Sequence, residues 1–264
     1  MRNIKSKANM NQCIQAQFSS LSRYFILYFL FITVTYVIIW PVSTYAQAQN
    51  TNEILIQKSG FAVTNKDISK LGALEKLFQD GRSAFNNGDP ETAAIIWREI
   101  AELGHANAQY ELASMMLNGN VLKRDITTAL ELFKRAANQG HNKAQYNMGV
   151  AFAKGIGVQQ NTGEAVVWWR TSALNGNTDA QFNLGLMYSN GYGVSKDMVV
   201  AAQWWQQAAT QGDAAAQFNL GMLYASGEGV GQSWKIAINL WKRSAEQGFS
   251  HAVRALEVLA KNKN

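Results

Sequence analysis

Residues 141–176 read HNKAQYNMGVAFAKGIGVQQNTGEAVVWWRTSALNG, and their reading decides the fold because the chain repeats them. Ala144, Met148 and Phe152 fall four apart, which places them on one face of a helix. Gly155-Ile156-Gly157-Val158 ends that helix, since glycine admits the positive φ of a turn. Asn161 has the side chain of an N-cap, and Ala165, Trp169 and Ala173 again fall four apart in a second helix. Gly176 stands where a helix end takes a left-handed residue. The unit is a helix hairpin with an apolar stripe on each helix.

The same residues return on both sides. Gly104, Gly140, Gly176, Gly212 and Gly248 are spaced by 36 every time. Ala108-Gln109-Tyr110 recurs as Ala144-Gln145-Tyr146, Ala180-Gln181-Phe182 and Ala216-Gln217-Phe218, with Ala252 continuing alone. Trp97, Phe133, Trp169, Trp205 and Trp241 keep the period, as do Ala129, Ala165, Ala201 and Ala237. Asp125, Asp197 and Ser233 share the capping phase of Asn161. The turn recurs as Gly191-Tyr192-Gly193-Val194 and Gly227-Glu228-Gly229-Val230; the first full unit has Gly119-Asn120-Val121-Leu122, without the second glycine. The valine is expected to fold back onto its hairpin. Gly149, Gly185 and Gly221 sit mid-helix at one phase, where each costs about 1 kcal/mol relative to alanine. That repeated cost predicts close approach of the partner helix, backbone to backbone, with Trp or Phe at the flanks. Ala113 takes this place in the first full unit.

Ala-Gln-aromatic-Asn-Leu-Gly, then Gly-x-Gly-Val, then Ala…Trp…Ala…Gly resembles the Sel1-like repeat, a relative of the tetratricopeptide repeat with a longer inter-helix loop. The resemblance covers residues 105–248 as four units. Residues 71–104 resemble a tetratricopeptide-type pair, with Gly88-Asp89-Pro90 as a short turn and Pro90 at a helix start. Residues 249–264 read as a C-terminal capping helix. The implied fold is all-α, a right-handed α-α superhelix (solenoid) in which each pair contacts mainly its neighbours and the first helices line a concave face. One pair cannot bury its apolar side alone; a stack of them can.

The N-terminal residues 1–48 have a different composition. Arg2, Lys5, Lys7 and Arg23 precede an uncharged apolar run from Tyr24 to Trp40, and Pro41 and Ala46-Gln47-Ala48 follow it. Positive, apolar, then small-x-small is the order of a secretory signal. A run of 17 is also close to the roughly 20 residues that span a bilayer, so an uncleaved signal anchor stays open. Both readings export the rest of the chain, which is expected to be periplasmic or secreted, or anchored in the inner membrane facing outward. Residues 49–70 are expected to form a polar linker.

Charge and cysteine use narrow the function. The net charge of +6 comes mostly from residues 1–48; the remainder holds 20 basic against 18 acidic residues. Such a balance does not mark a nucleic-acid surface. Cys13 is the only cysteine, so a domain starting near residue 49 has no disulfide and relies on packing. The Gly-x-Gly turns join two helices, whereas a dinucleotide fingerprint follows a strand. His105 and His141 lie one repeat apart, yet a metal site needs further ligands, and only His251 remains. A cysteine-rich branch of the Sel1-like proteins is linked to β-lactam binding and hydrolysis. Here no serine has a lysine three places on, and the disulfide cysteines of that branch are missing. No catalytic residue, cofactor or metal is expected. Trp168-Trp169 and Trp204-Trp205 are expected to pack rather than stack on a ligand. The paired bases Lys123-Arg124, Lys134-Arg135 and Lys242-Arg243 read as solvated faces.

The strongest candidate site is a polar row on the first helices: Asn147, Asn183 and Asn219, with Glu111 at the same phase. An asparagine amide can pair with the N–H and C=O of an extended peptide together. Lys143 adds charge to that face, and Lys154 does so more weakly. The competing reading is that each asparagine bonds to the adjacent repeat. The sequence thus points to an adaptor or scaffold for a protein or peptide ligand, its oligomeric state open.

Overall fold

The structure is a computed structural model that describes residues 65–261. The expected signal or anchor (residues 1–48) and most of the expected linker lie outside the described residues. Eleven helices and no strand occur among the described residues. They are α1 (Asn65–Asn86), α2 (Pro90–Glu102), α3 (Ala106–Asn118), α4 (Ile126–Asn138), α5 (Asn142–Lys154), α6 (Thr162–Leu174), α7 (Thr178–Asn190), α8 (Met198–Thr210), α9 (Ala214–Ser226), α10 (Trp234–Glu246) and α11 (Ser250–Lys261). Successive helices pack on one another from α2 to α11, and the core runs along the stack as apolar clusters bridged by the half-buried Phe152, Tyr188 and Tyr224. The expected linker is too long by its last six residues, which belong to α1. Once Leu74 and Phe78 anchor α1 in the core, extending it toward Asn65 is cheap, because no proline interrupts.

Every hairpin is punctuated alike. Asp89, Asp125, Asn161, Asp197 and Ser233 accept from backbone N–H groups in the first turn of α2, α4, α6, α8 and α10. Gly104, Gly140, Gly176, Gly212 and Gly248 take positive φ after the second helices. There the next residue's N–H reaches back five positions, as from His141 to the Ala136 carbonyl at 3.1 Å. Val158, Val194 and Val230 fold onto the core as expected. The second glycine of each turn has a further reason to be glycine. A Cβ on Gly193 would fall 2.6 Å from the Thr162 carbonyl carbon, in the first turn of the preceding unit's second helix.

The mid-helix glycines correct one expectation. What occupies the missing Cβ is first the partner's indole; partner backbone comes near only at Gly221, where the Ala237 carbonyl oxygen would lie 3.3 Å away. A Cβ on Gly149 or Gly221 would lie 2.5 Å from Nε1 of Trp169 or Trp241. Each indole lies across the glycine and donates to the carbonyl three residues before it. Trp169 donates to Tyr146, Trp205 to Phe182 and Trp241 to Phe218, at 3.1–3.2 Å. Trp97 repeats the arrangement over Gly81, donating to Phe78 at 3.3 Å. Where the second helix carries Phe133 instead of Trp, the first carries Ala113, and both are buried. The pair therefore changes together, Trp with Gly and Phe with Ala.

Candidate functional site

Two polar rows run along the first helices, two residues apart in phase, and the structure gives them different work. Gln109, Gln145, Gln181 and Gln217 are buried. Each donates Nε2 to a carbonyl at the end of the preceding second helix: Ala101, Ala137, Ala173 and Ala209, at 3.0–3.2 Å. Those carbonyls belong to the helix-terminal set that has no partner within its own helix. Each glutamine Oε1 then accepts from the residue ending its own hairpin's second helix: Gln139, Asn175, Gln211 and Gln247. One amide thus stitches three consecutive helices. The sequence marks this row by Gln at 109 and an amide 30 residues later. Both signals vanish together where Ala73 and Leu103 stand. The glutamine was legible as a mark of the repeat, but its role was not.

The second row is the expected one. Glu111, Asn147, Asn183 and Asn219 are all half-buried on α3, α5, α7 and α9, and each precedes a buried Leu112, Met148, Leu184 or Leu220. Asn183 sits against the Tyr146 hydroxyl of the preceding unit and eases its ionisation, although burial, the largest influence, pushes that hydroxyl's pKa up. This contact is the inter-repeat one that competes with ligand binding at that rung. Lys143 is exposed in the first turn of α5, close enough for its charge to act on Glu111. Burial raises the Glu111 pKa, while Lys143 and Arg82 pull it back. The ion pairs among the described residues are His105–Glu75 and Lys196–Glu228, so Glu111 has no fixed counterion there.

The other expected features resolve simply. His105 and His141 are N-caps of α3 and α5, where Nδ1 accepts from the Ala108 and Ala144 N–H groups. Asn177 and Asp213 do the same for α7 and α9. Burial depresses the His141 pKa below the ordinary 6.5; a bond with its own backbone pulls part of the way back, and Lys143 adds a smaller downward push. A depressed imidazole favours the neutral folded form. Its contribution is complete above pH 6.5 and is lost as pH falls below that unfolded value. The native protein is expected to lose urea resistance between pH 7.5 and 5.5, and His141→Asn, which keeps a cap at all pH values, is expected to shrink that loss. An equal loss in both proteins would refute the role.

On the opposite side of the hairpins, a cavity of about 320 Å³ is lined by Leu130 and Lys134 of α4, Phe152 of α5, Val158, and Glu164 and Trp168 of α6. A second, formed by Ala202, Gln206, Tyr224 and Val230, lies at the equivalent place two units on. Arg170 bonds the Tyr188 hydroxyl at the intervening position. Trp169 and Trp205 are core as expected, whereas Trp168 and Trp204 are only half-buried, Trp168 on the first of these cavities. Among the described residues no group of three His, Cys, Asp or Glu side chains could hold a metal ion, and no helix is long and apolar enough to cross a membrane.

A stack of near-identical hairpins carrying side-chain rows along one face defines a helical-repeat protein. The chain belongs to the Sel1 repeat family: the Sel1 repeat matches residues 106–141, 142–177, 178–213 and 214–249. Proteins of this family generally mediate protein–protein interaction, on a fold that is generally non-catalytic. Among solved structures, the chain is similar to a Sel1 repeat protein from Oxalobacter formigenes. They share 30% identity and a TM-score of 0.64 over 69% of this chain and 76% of that one. It is also similar to c5321, a protective antigen of uropathogenic Escherichia coli strains with the same repeat fold, at 35% identity and a TM-score of 0.63. That match covers 64% of this chain but only 36% of the antigen's length. No curated protein sequence matches significantly.

Proposed function

We propose that this protein is an exported adaptor that holds an extended segment of a partner protein along the first-helix face. The observation that carries the reading is the row Glu111, Asn147, Asn183 and Asn219, polar side chains kept half-buried at one phase on four successive first helices. The buried glutamines already join the hairpins, so this second row is not needed to hold the stack together. Its amides present a donor and an acceptor each, which suits peptide backbone. The opposite side favours continuous docking less, because its two cavities are separated by the Arg170–Tyr188 contact. Export rests on the order of basic, apolar and small residues in 1–48. A mature N-terminus near Gln49 by mass spectrometry supports a cleaved signal, and an intact Met1 supports an anchor.

Partners co-purified from the native envelope test the site. Asn147→Ala, Asn183→Ala and Asn219→Ala together are expected to weaken capture about 100-fold, at roughly 1 kcal/mol per amide. Unchanged capture by a triple variant with native circular dichroism would remove the row from the binding surface.

A further inference from the structure

The first rung of the polar row differs from the other three in charge and in surroundings. Glu111 lines a cavity of about 220 Å³ between the end of α1 and α3, together with Phe85, Trp97, Ser114, Asn118 and Asn120. This volume is below the roughly 300–1,000 Å³ of sites built for whole small molecules. It suits one long side chain. Phe85 is 47% exposed, an unusual condition for phenylalanine, while Trp97 behind it is 2% exposed; their rings lie 5.8 Å apart. A carboxylate, an aromatic face open to solvent and neutral amide and hydroxyl groups around them form a receptor for a cation.

We propose that this cavity takes the basic side chain, arginine or lysine, of a peptide bound along the first-helix face. The proposal deepens the function put forward above and rests on it. The carboxylate supplies the counter-charge, and Phe85 offers its ring face to the cation and to the alkyl stem. Ser114, Asn118 and Asn120 provide hydrogen-bonding oxygens at the cavity wall. Arg82 and Lys143 act on Glu111 through space without pairing with it, so an incoming cation finds the carboxylate unclaimed. Burial of Glu111 works in the same direction, because a desolvated carboxylate gains more from a partner than a solvated one. The neutral asparagines at the other rungs have no such preference. The single acidic rung therefore sets the register of the ligand, one basic residue at this end with backbone pairing onward toward Asn147.

The test uses the full chain with its tryptophan indoles labelled with nitrogen-15, the Trp97 signal being assigned by its loss in Trp97→Phe. Nα-acetyl-arginine methylamide is titrated against its citrulline analogue, which has the same shape without the charge, and against Nα-acetyl-glutamate. The arginine compound is expected to shift the Trp97 signal saturably, and the other two are not. Glu111→Asn installs the residue that the other units carry, so folding is preserved. It is expected to weaken the arginine compound about tenfold, as is Phe85→Ser. Equal response to arginine and citrulline, preference for the glutamate, or an unchanged affinity in Glu111→Asn would each overturn the proposal. Failure here with the triple asparagine variant still losing its partners would spare the groove and remove only the pocket. Arginine binding with unaffected capture would do the reverse.

Discussion

Gly185→Ala is expected to destabilise the protein by about 3 kcal/mol in urea unfolding, although helix propensity alone predicts a gain of about 1 kcal/mol. The two effects have opposite signs, so the measurement decides between them. Gly185 lies in the middle of α7, where alanine is otherwise the better residue. Its new Cβ would stand 2.7 Å from Cε2 of Trp205, and closer still to the Nε1 side of the ring. The indole would have to move off the helix and give up its bond to the Phe182 carbonyl at 3.2 Å. Trp205 is 5% exposed and has little room to yield. Trp205→Phe placed in the alanine background is expected to recover at least 1 kcal/mol, because Ala113 and Phe133 already coexist in the first full unit. A stabilised Gly185→Ala protein, or a double variant no better than the single one, would show that the indole does not dictate the glycine.

That pairing also shows where sequence reasoning reached and where it stopped. A period of 36 residues made the hairpins, the caps and the buried tryptophans readable, because each is a local property with its own residue signature. The glycines announced a close approach, but spacing alone could not say whether a backbone or a ring came near. That distinction depends on the relative depth of two helices. The candidate row at Asn147, Asn183 and Asn219 was legible as a phase. The charge on Glu111 was legible too. The cavity beside it was not, since Phe85 and Trp97 come from the short first hairpin, which breaks the repeat. The start of α1 was missed for a related reason. Residues 65–70 carry no repeat signal, and their helicity follows from propagation.

The second large effect belongs to the buried amides. Gln181→Leu keeps volume and apolar burial but leaves the Ala173 carbonyl, on a residue 1% exposed, with only the 3.0 Å bond from the Gly176 N–H in place of that bond and the 3.1 Å one from Nε2. It also removes the acceptor of the Gln211 amide. Each of the two lost hydrogen bonds is worth about 1 kcal/mol net, so the loss is expected near 2 kcal/mol. Its location matters more than its size. Gln181 joins α6 of one unit to α7 and α8 of the next, so the damage falls on the coupling between hairpins and leaves each hairpin intact. In a linear array, stability divides into terms within repeats and terms between neighbours, and cooperativity comes from the second kind. Weakening one junction is expected to let the units after it unfold first. Urea transitions followed by circular dichroism and by tryptophan fluorescence should then separate, where the native protein gives coincident curves. Asn183→Ala, two residues along the same helix and half-buried, gives up only its contact with the Tyr146 hydroxyl and is expected to cost no more than about 1 kcal/mol and to leave the curves coincident. If the two substitutions behaved alike, the division of labour between the glutamine row that builds the stack and the asparagine row that faces a ligand would be wrong.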